Sequence, residues 1–188
     1  MVGRGTALAL MLLLAASLYA QQRPAFGLSG GVVTATLPVA ILDSAPVKKQ
    51  LASGLTTTFL VAARQSQRVL GARIEVRYDL WDEVWLVRRI EFDRKEDRQR
   101  LTSREALEKW WRTPVRIFTA AVAATPLQVD LTVLPFSASE EEDARQWIAK
   151  GGGVATPSGE GLVDVLIGTT LAAKPIIRWR WDVQVAGR

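Results

Sequence analysis

The chain has 188 residues, of which 48% are hydrophobic and 23% charged, and its formal net charge is +5. This length and composition are typical of one globular domain. Cysteine and histidine are absent, which excludes a disulfide framework, thiolate and imidazole metal sites, cysteine nucleophiles and the Ser-His-Asp triad. We therefore predict neither a cofactor nor a bound metal ion.

The N-terminus has the pattern of a secretory signal peptide over residues 1–20. Arg4 supplies a positive start, and residues 7–20 form an apolar run shorter than the ~20 residues that a membrane-spanning helix needs. Small residues at Ala20 and Ser17 offer two cleavage positions, neither with a strict A-x-A pattern. We predict export to the periplasm or the extracellular space, no membrane span after cleavage and no nucleic-acid partner. The alternative is an uncleaved N-terminal anchor.

After the signal, the sequence predicts a flexible tether at residues 21–31, which are rich in Gly, Pro and Gln, and a single β-rich domain at residues 32–188. Apolar–polar alternation indicates strands, and capping residues before an apolar run indicate helices. In chain order, we predict strands at 32–42 (an edge strand), 55–64, 72–78, 83–92, 115–124, 127–133 and 176–185, and helices at 45–53, 102–111 and 139–150.

Two segments fit either a strand or a helix. They are residues 115–124, for which we favour a strand, and residues 162–173. Together the elements predict a β-rich α+β fold, an antiparallel sheet or sandwich of six to eight strands with two or three short helices.

Three segments carry a pattern that is found elsewhere. They are GLTTTFLVAAR (54–64), VRYDLWDEVWLVRR (76–89) and LTSREALEKWW (101–111). In this order they resemble an uncharacterised family of exported bacterial envelope proteins, a domain of unknown function, over about half of the chain. The resemblance implies an envelope location and a β-rich fold, and it brings no catalytic residue with it.

Tryptophan is the most distinctive residue type, with seven copies. Trp179 and Trp181 share one face of the last predicted strand, so burial in the core is the first expectation for them. Trp81 and Trp85 lie on a predicted hairpin. An exposed tryptophan would stack on a sugar or anchor a partner, and these two hairpin residues are the candidates for such a role.

Arginines at alternate positions form a second candidate site, with Arg73 and Arg77 on one predicted strand and Arg178 and Arg180 on another. If these strands are neighbours, four guanidinium groups form one anion-binding face. The alternative is cross-strand ion pairing, which would neutralise the arginines. The acidic partners would then be Glu75, Glu91 and Asp182.

Acidic residues crowd the turn of the predicted hairpin at Asp79, Asp82 and Glu83. Carboxylates in such a cluster hold Ca²⁺ or act as an acid–base pair on a glycan. The segment lacks the spacing and the glycine of a calcium loop, and Asp in turns commonly caps its own backbone, so we favour the turn-capping role. The mixed charges of residues 88–104 indicate a solvated strand end and turn.

These features predict an exported, non-catalytic envelope protein that binds another macromolecule through a strand edge or an aromatic and arginine surface. We expect the partner to be an envelope protein or a cell-wall polymer. Two alternatives come from other classes. One is an enzyme that uses paired carboxylates on cell-wall glycan, and the other is a sandwich that binds lipid in an apolar cavity.

Overall fold

A computed structural model of the chain describes residues 23–119, 125–135 and 175–184. These ranges contain nine strands in two antiparallel sheets, two short α-helices and a 3-10 helix at Val39–Ile41. The strands are β1 (Ala25–Ser29), β2 (Val32–Thr36), β3 (Thr57–Gln65), β4 (Arg68–Asp79), β5 (Val84–Ile90), β6 (Glu96–Leu101), β7 (Val115–Thr119), β8 (Leu127–Leu134) and β9 (Ile177–Val183). The helices are α1 (Ala45–Leu51) and α2 (Arg104–Trp111). The predicted β-rich α+β fold is confirmed, with more strands than the six to eight expected.

The larger sheet has six strands in the order β6-β5-β4-β3-β8-β9. Successive side chains of a strand point to opposite faces of the sheet. In β4 one set of alternate side chains, Ala72, Ile74 and Val76, is buried in the core, as the sequence predicts. We call this side the core face. The opposite side, which carries Arg73 and Arg77, is called the outer face.

The smaller sheet has the order β1-β2-β7. β1 and β2 are joined through Gly30 and Gly31, whose φ angles of 56° and 75° suit a two-residue hairpin turn. The tether predicted at residues 21–31 is therefore wrong in its central part, which forms β1. Phe26 and Leu28 hold this strand in place because their side chains pack against the core.

β2 is the central strand of the smaller sheet, so the prediction of an edge strand at residues 32–42 is wrong. It pairs with β1 on one side and with β7 on the other. Pro38 indicated an edge strand, because proline has no backbone N–H to donate to a neighbouring strand. It lies beyond the last residue of β2, so the sheet loses no hydrogen bond there.

Both sheets and helix α2 enclose one hydrophobic core. Trp111 of α2 is 1% exposed. Its ring meets Phe59 of β3 edge-on with centroids 4.8 Å apart, and its indole Nε1 donates to the Pro38 carbonyl oxygen at 3.1 Å. The preceding Trp110 is also buried; the Arg89 guanidinium of β5 lies 4.5 Å from its ring centroid, and its indole Nε1 donates to the Asp97 carboxylate at 2.7 Å.

The helices follow the predicted caps to within two residues. Helix α1 ends at Leu51, shortly before Gly54, and α2 begins after Ser103, whose hydroxyl accepts a hydrogen bond from the Ala106 amide at 3.1 Å. Such a cap satisfies an amide that has no partner within the helix.

Several predicted features lie outside the described residues. They are the signal segment, the helix at 139–150 with Trp147, and the segments 120–124 and 162–173. Within the part of the chain that the structure describes, neither α-helix has the length and the apolar character needed to cross a bilayer.

Candidate binding surface

The four arginines that the sequence singled out share the outer face of the six-stranded sheet but do not form one cluster. Cross-strand register aligns Arg73 with Leu60, Thr132 and Arg178 across β4, β3, β8 and β9. Two strands thus separate the arginine pairs, and at ~4.8 Å per strand the pairs lie about 14 Å apart. The condition for a single anion-binding face, that the two strands are neighbours, is not met.

Ion pairing engages Arg73, Arg77 and Arg180, but the pairs of Arg73 with Glu75 and of Arg77 with Asp79 lie within β4. Only the pair of Arg180 among these three crosses strands, as the alternative prediction required. Arg73 is buried and lies 2.5 Å from the Glu75 carboxylate. Arg180 donates through Nε to Asp130 at 2.6 Å, and this contact raises the pKa of Arg180. Arg178 donates to the Thr132 hydroxyl at 3.3 Å. The acidic partner of Arg180 is thus a residue of β8 that the sequence did not indicate.

A groove of about 420 Å³ lies on the outer face where β4, β5 and β6 meet, and Arg77, Arg88, Arg98 and Arg100 line it. The register explains why these side chains converge. Arg77 of β4 is opposite Leu86 of β5, which is opposite Arg100 of β6, and the next row pairs Arg88 with Arg98. Residues directly opposite on antiparallel strands share a face, so the four arginines point to the same side.

Sequence reasoning missed three of these arginines, on β5 and β6. Residues 88–104 were interpreted as a solvated strand end and turn, whereas residues 96–101 form β6 at the edge of the sheet. The signal that was available is the alternation of Arg98 and Arg100 with Gln99 and Leu101. A charged edge strand is expected in native sheets, because it discourages pairing with other chains.

Carboxylates at the rim of the groove pair with its arginines. Arg88 donates to Glu96 at 2.9 Å, Arg98 contacts the same carboxylate, and Arg100 donates to Asp82 at 2.9 Å. Hydrogen bonds from Arg98 and Arg88 lower the pKa of Glu96. Exposed pairs of this kind are worth only about 0–1 kcal/mol each, so these contacts contribute little to folding.

The turn between β4 and β5 adjoins the groove and is held by Asp79. Its carboxylate accepts hydrogen bonds from the amides of Trp81 at 3.0 Å and Asp82 at 3.3 Å, and Arg77 of the groove lies 3.5 Å away. The amides, first that of Trp81 and then that of Asp82, lower the pKa of Asp79. The turn-capping role predicted for this aspartate is confirmed.

Exposed apolar side chains are concentrated at this turn. Trp81 is 97% exposed, Leu80 60% and Leu55, in the loop before β3, 46%, and within residues 23–119, 125–135 and 175–184 these are the exposed large hydrophobic side chains. Leu80 also packs on the loop before β3, because a Cβ atom on Gly54 would lie 2.9 Å from it. We call Leu55, Leu80 and Trp81 the apolar tip.

Trp85, the other candidate of the hairpin, lies on the core face. Its ring contacts that of Tyr78 at a tilt of 49°, with centroids 4.7 Å apart, and lies 5.9 Å from the Arg104 guanidinium. Its side chain is partly buried against the core, as is that of Trp181, and Trp179 is buried. Trp81, by contrast, lies in the turn whose Asp79 and Asp82 contact Arg77 and Arg100 of the groove.

No group of three or more acidic side chains suited to a metal ion occurs among the residues that the structure describes. No family model, curated protein or solved structure matches this chain. The geometry of the groove and the apolar tip is therefore the basis for an assignment of function.

Proposed function

We propose that this chain is an exported, non-catalytic envelope protein that binds another macromolecule through the groove and the apolar tip. One observation carries the proposal: Trp81, 97% exposed, lies in the turn whose Asp79 and Asp82 contact two of the four groove arginines, Arg77 and Arg100. Tryptophan and arginine are the residues most enriched among those that dominate binding energy at interfaces. A tryptophan that is left in water gains its apolar contact only when a partner covers it.

The contacts of the hairpin turn support binding rather than carboxylate chemistry. Asp79 accepts two backbone hydrogen bonds, and Asp82 accepts one from Arg100. A general acid needs a raised pKa, whereas the pKa of Asp79 is lowered. The arrangement thus favours a turn that presents Trp81 over a pair of catalytic carboxylates.

The outer face of the six-stranded sheet is a better candidate for binding than its β6 edge, which borders the groove. The edge strand β6 carries Glu96, Asp97, Arg98 and Arg100 within six residues, and charges of both signs discourage the addition of a strand from another chain. We therefore place the contact on the outer face and the tip, with an envelope protein or a cell-wall polymer as the partner.

Export is the second part of the proposal, and it is supported by the apolar run at residues 7–20 that follows Arg4. Mass spectrometry of the protein isolated from the envelope fraction tests it. We expect a mature N-terminus near Gln21. Recovery of the intact chain from the cytosol would contradict export.

Crosslinking with mass spectrometry in native envelopes tests the binding function. We expect Trp81→Ala and the double variant Arg77→Gln/Arg100→Gln to lose the crosslinked partner of the wild type. Arg112→Gln is the matched control, because Arg112 is exposed to a similar extent as Arg100 (62% against 58%) and pairs with Glu108 on α2, away from the groove. Unchanged partners in both surface variants would refute the proposed function.

A further inference from the structure

We propose that β1 is a self-association site, at which two copies of this chain pair edge to edge and join their smaller sheets. The observation that carries the proposal is the sequence of the strand, Ala25-Phe26-Gly27-Leu28-Ser29. The same order of side-chain types is read from either end: small, large apolar, glycine, large apolar, small. The proposed function does not depend on this pairing, because β1 belongs to neither the groove nor the apolar tip.

The edge of β1 lacks the charges that protect the other sheet edges. In the part of the chain that the structure describes, β1 is an edge strand of the smaller sheet. Edge strands expose backbone groups that can pair with another chain, and charged side chains are a common protection against such pairing. The other edge strands β6, β7 and β9 each contain arginine, whereas β1 contains no charged residue. Strand addition therefore meets the least electrostatic resistance at β1.

The register of the β1–β2 hairpin determines which backbone groups of β1 point away from β2. Ser29 closes the two-residue turn, and such a closing residue exchanges two hydrogen bonds with its partner. Because bonded and non-bonded pairs alternate along an antiparallel ladder, Gly27 also bonds to β2, and the amides and carbonyls of Phe26 and Leu28 point outward. Pro24 has no amide to donate, so the free edge ends there.

A two-fold axis at Gly27 satisfies these outward groups. It places Phe26 of one copy opposite Leu28 of the other, so that each such pair exchanges two hydrogen bonds. The side chains of Phe26 and Leu28 pack against the core but remain partly exposed, and the second strand covers part of this apolar surface. On the other side Ala25 meets Ser29, and their small, exposed side chains permit a close approach of the two strands.

The order of side chains favours a second copy over an unrelated strand. Two identical antiparallel strands bring each residue against the one at the mirrored position, and in β1 the mirrored residues match in size. The pairing is isologous, so it uses both free edges and closes at the dimer. A contact between two five-residue strands is smaller than the ~1,200 Å² at which stable interfaces begin, so we expect a weak dimer.

Sedimentation equilibrium of the purified full chain tests the pairing. We expect the mean mass to equal that of the monomer at about 1 μM and to approach that of the dimer at about 1 mM, the range of weak complexes. Hydrogen exchange followed by NMR at both concentrations locates the contact. The amides of Phe26 and Leu28 should exchange more slowly in the concentrated sample, while those of Gly27 and Ser29, already bonded to β2, should not change.

Charges at the exposed positions of β1 test the register. Ala25→Lys/Ser29→Lys sets lysines of the two copies opposite each other, which opposes pairing, and we expect the dissociation constant to rise at least about tenfold. Ala25→Lys/Ser29→Glu sets a lysine of one copy opposite a glutamate of the other, and we expect it to dimerise at least as well as the wild type. Ala52→Lys/Ser53→Lys adds the same charge at exposed positions after α1 and should dimerise as the wild type does.

Three results would overturn the proposal. They are a protein that stays monomeric at about 1 mM, a dimer that forms without protection of the Phe26 and Leu28 amides, and equal dimerisation of the two β1 variants when circular dichroism shows both to be folded. None of these results bears on the crosslinked partner that the groove and tip variants are expected to lose, so the two proposals fail separately.

Discussion

Trp81 and Trp111 show the two opposite environments that this fold gives to one residue type. Trp111 is 1% exposed, meets Phe59 and donates its indole N–H to a backbone carbonyl. Trp81 is 97% exposed at the end of a hairpin. Burial of a tryptophan stabilises the fold through apolar contact, and an exposed one makes no such contribution. Trp111 therefore stabilises the core, whereas Trp81 is available for contact with a partner.

The strongest test of this contrast is Trp111→Ala. Removal of the ring leaves a cavity beside Phe59, and we expect the free energy of unfolding to fall by about 3–5 kcal/mol. Urea unfolding monitored by circular dichroism measures the change. A loss below about 1 kcal/mol would show that Trp111 is not a central part of the core.

A second large effect is expected at Gly71, in the middle of β4. A Cβ atom there would lie 2.3 Å from the Val61 carbonyl oxygen of β3, so Gly71→Ala forces two paired strands apart. We expect a loss of about 1–3 kcal/mol, as for other overpacked sites, in the same urea assay. Ala72→Gly, one residue along on the core face, is a control that removes volume instead of adding it.

Trp81→Ala is expected to leave stability nearly unchanged. The side chain has almost no contact to lose, and substitutions at such surface positions usually change the free energy of unfolding by less than about 0.5 kcal/mol. Equal urea midpoints for the variant and the wild type are the expected result. A loss of more than about 1 kcal/mol would show that Trp81 is part of the packed structure.

The smallest effect concerns the titration of Asp79. Hydrogen bonds from the amides of Trp81 and Asp82 lower its pKa below the model-compound value of 3.8. A carboxyl group of this kind stabilises the fold fully above its unfolded pKa and loses that contribution as the pH falls through its folded pKa. We expect a carbon NMR titration of the Asp79 carboxyl to have its midpoint below pH 3.8. A midpoint above that value would contradict the capped turn.

The alternation of side chains made most of the fold predictable. β4, β8 and β9 follow the predicted faces, because a strand with one side in a core repeats every two residues. β1 and β6 were not predicted. β1 is rich in small residues that also suit a loop, and β6 has charges on both faces, so that neither segment has a strong apolar period.

The candidate site was predictable in part. The hairpin with Trp81 and the aspartate that caps its turn were indicated by local sequence. The groove was not, because β6 was not predicted: β4, β5 and β6 are consecutive both in the chain and in the sheet, so that Arg77 meets Arg100 once β6 is recognised as a strand. The separation of Arg73 from Arg178 by β3 and β8 depends instead on pairing between segments distant in the chain, which local alternation does not indicate.

Hydroxyl-radical footprinting of the two contrasted tryptophans, read by mass spectrometry, tests the central claim most directly. In the isolated protein we expect rapid oxidation of Trp81 and none of Trp111. With native envelope material added, Trp81 should become protected while Trp111 is unchanged. Equal oxidation of Trp81 with and without the envelope would contradict the claim that this surface binds a partner there.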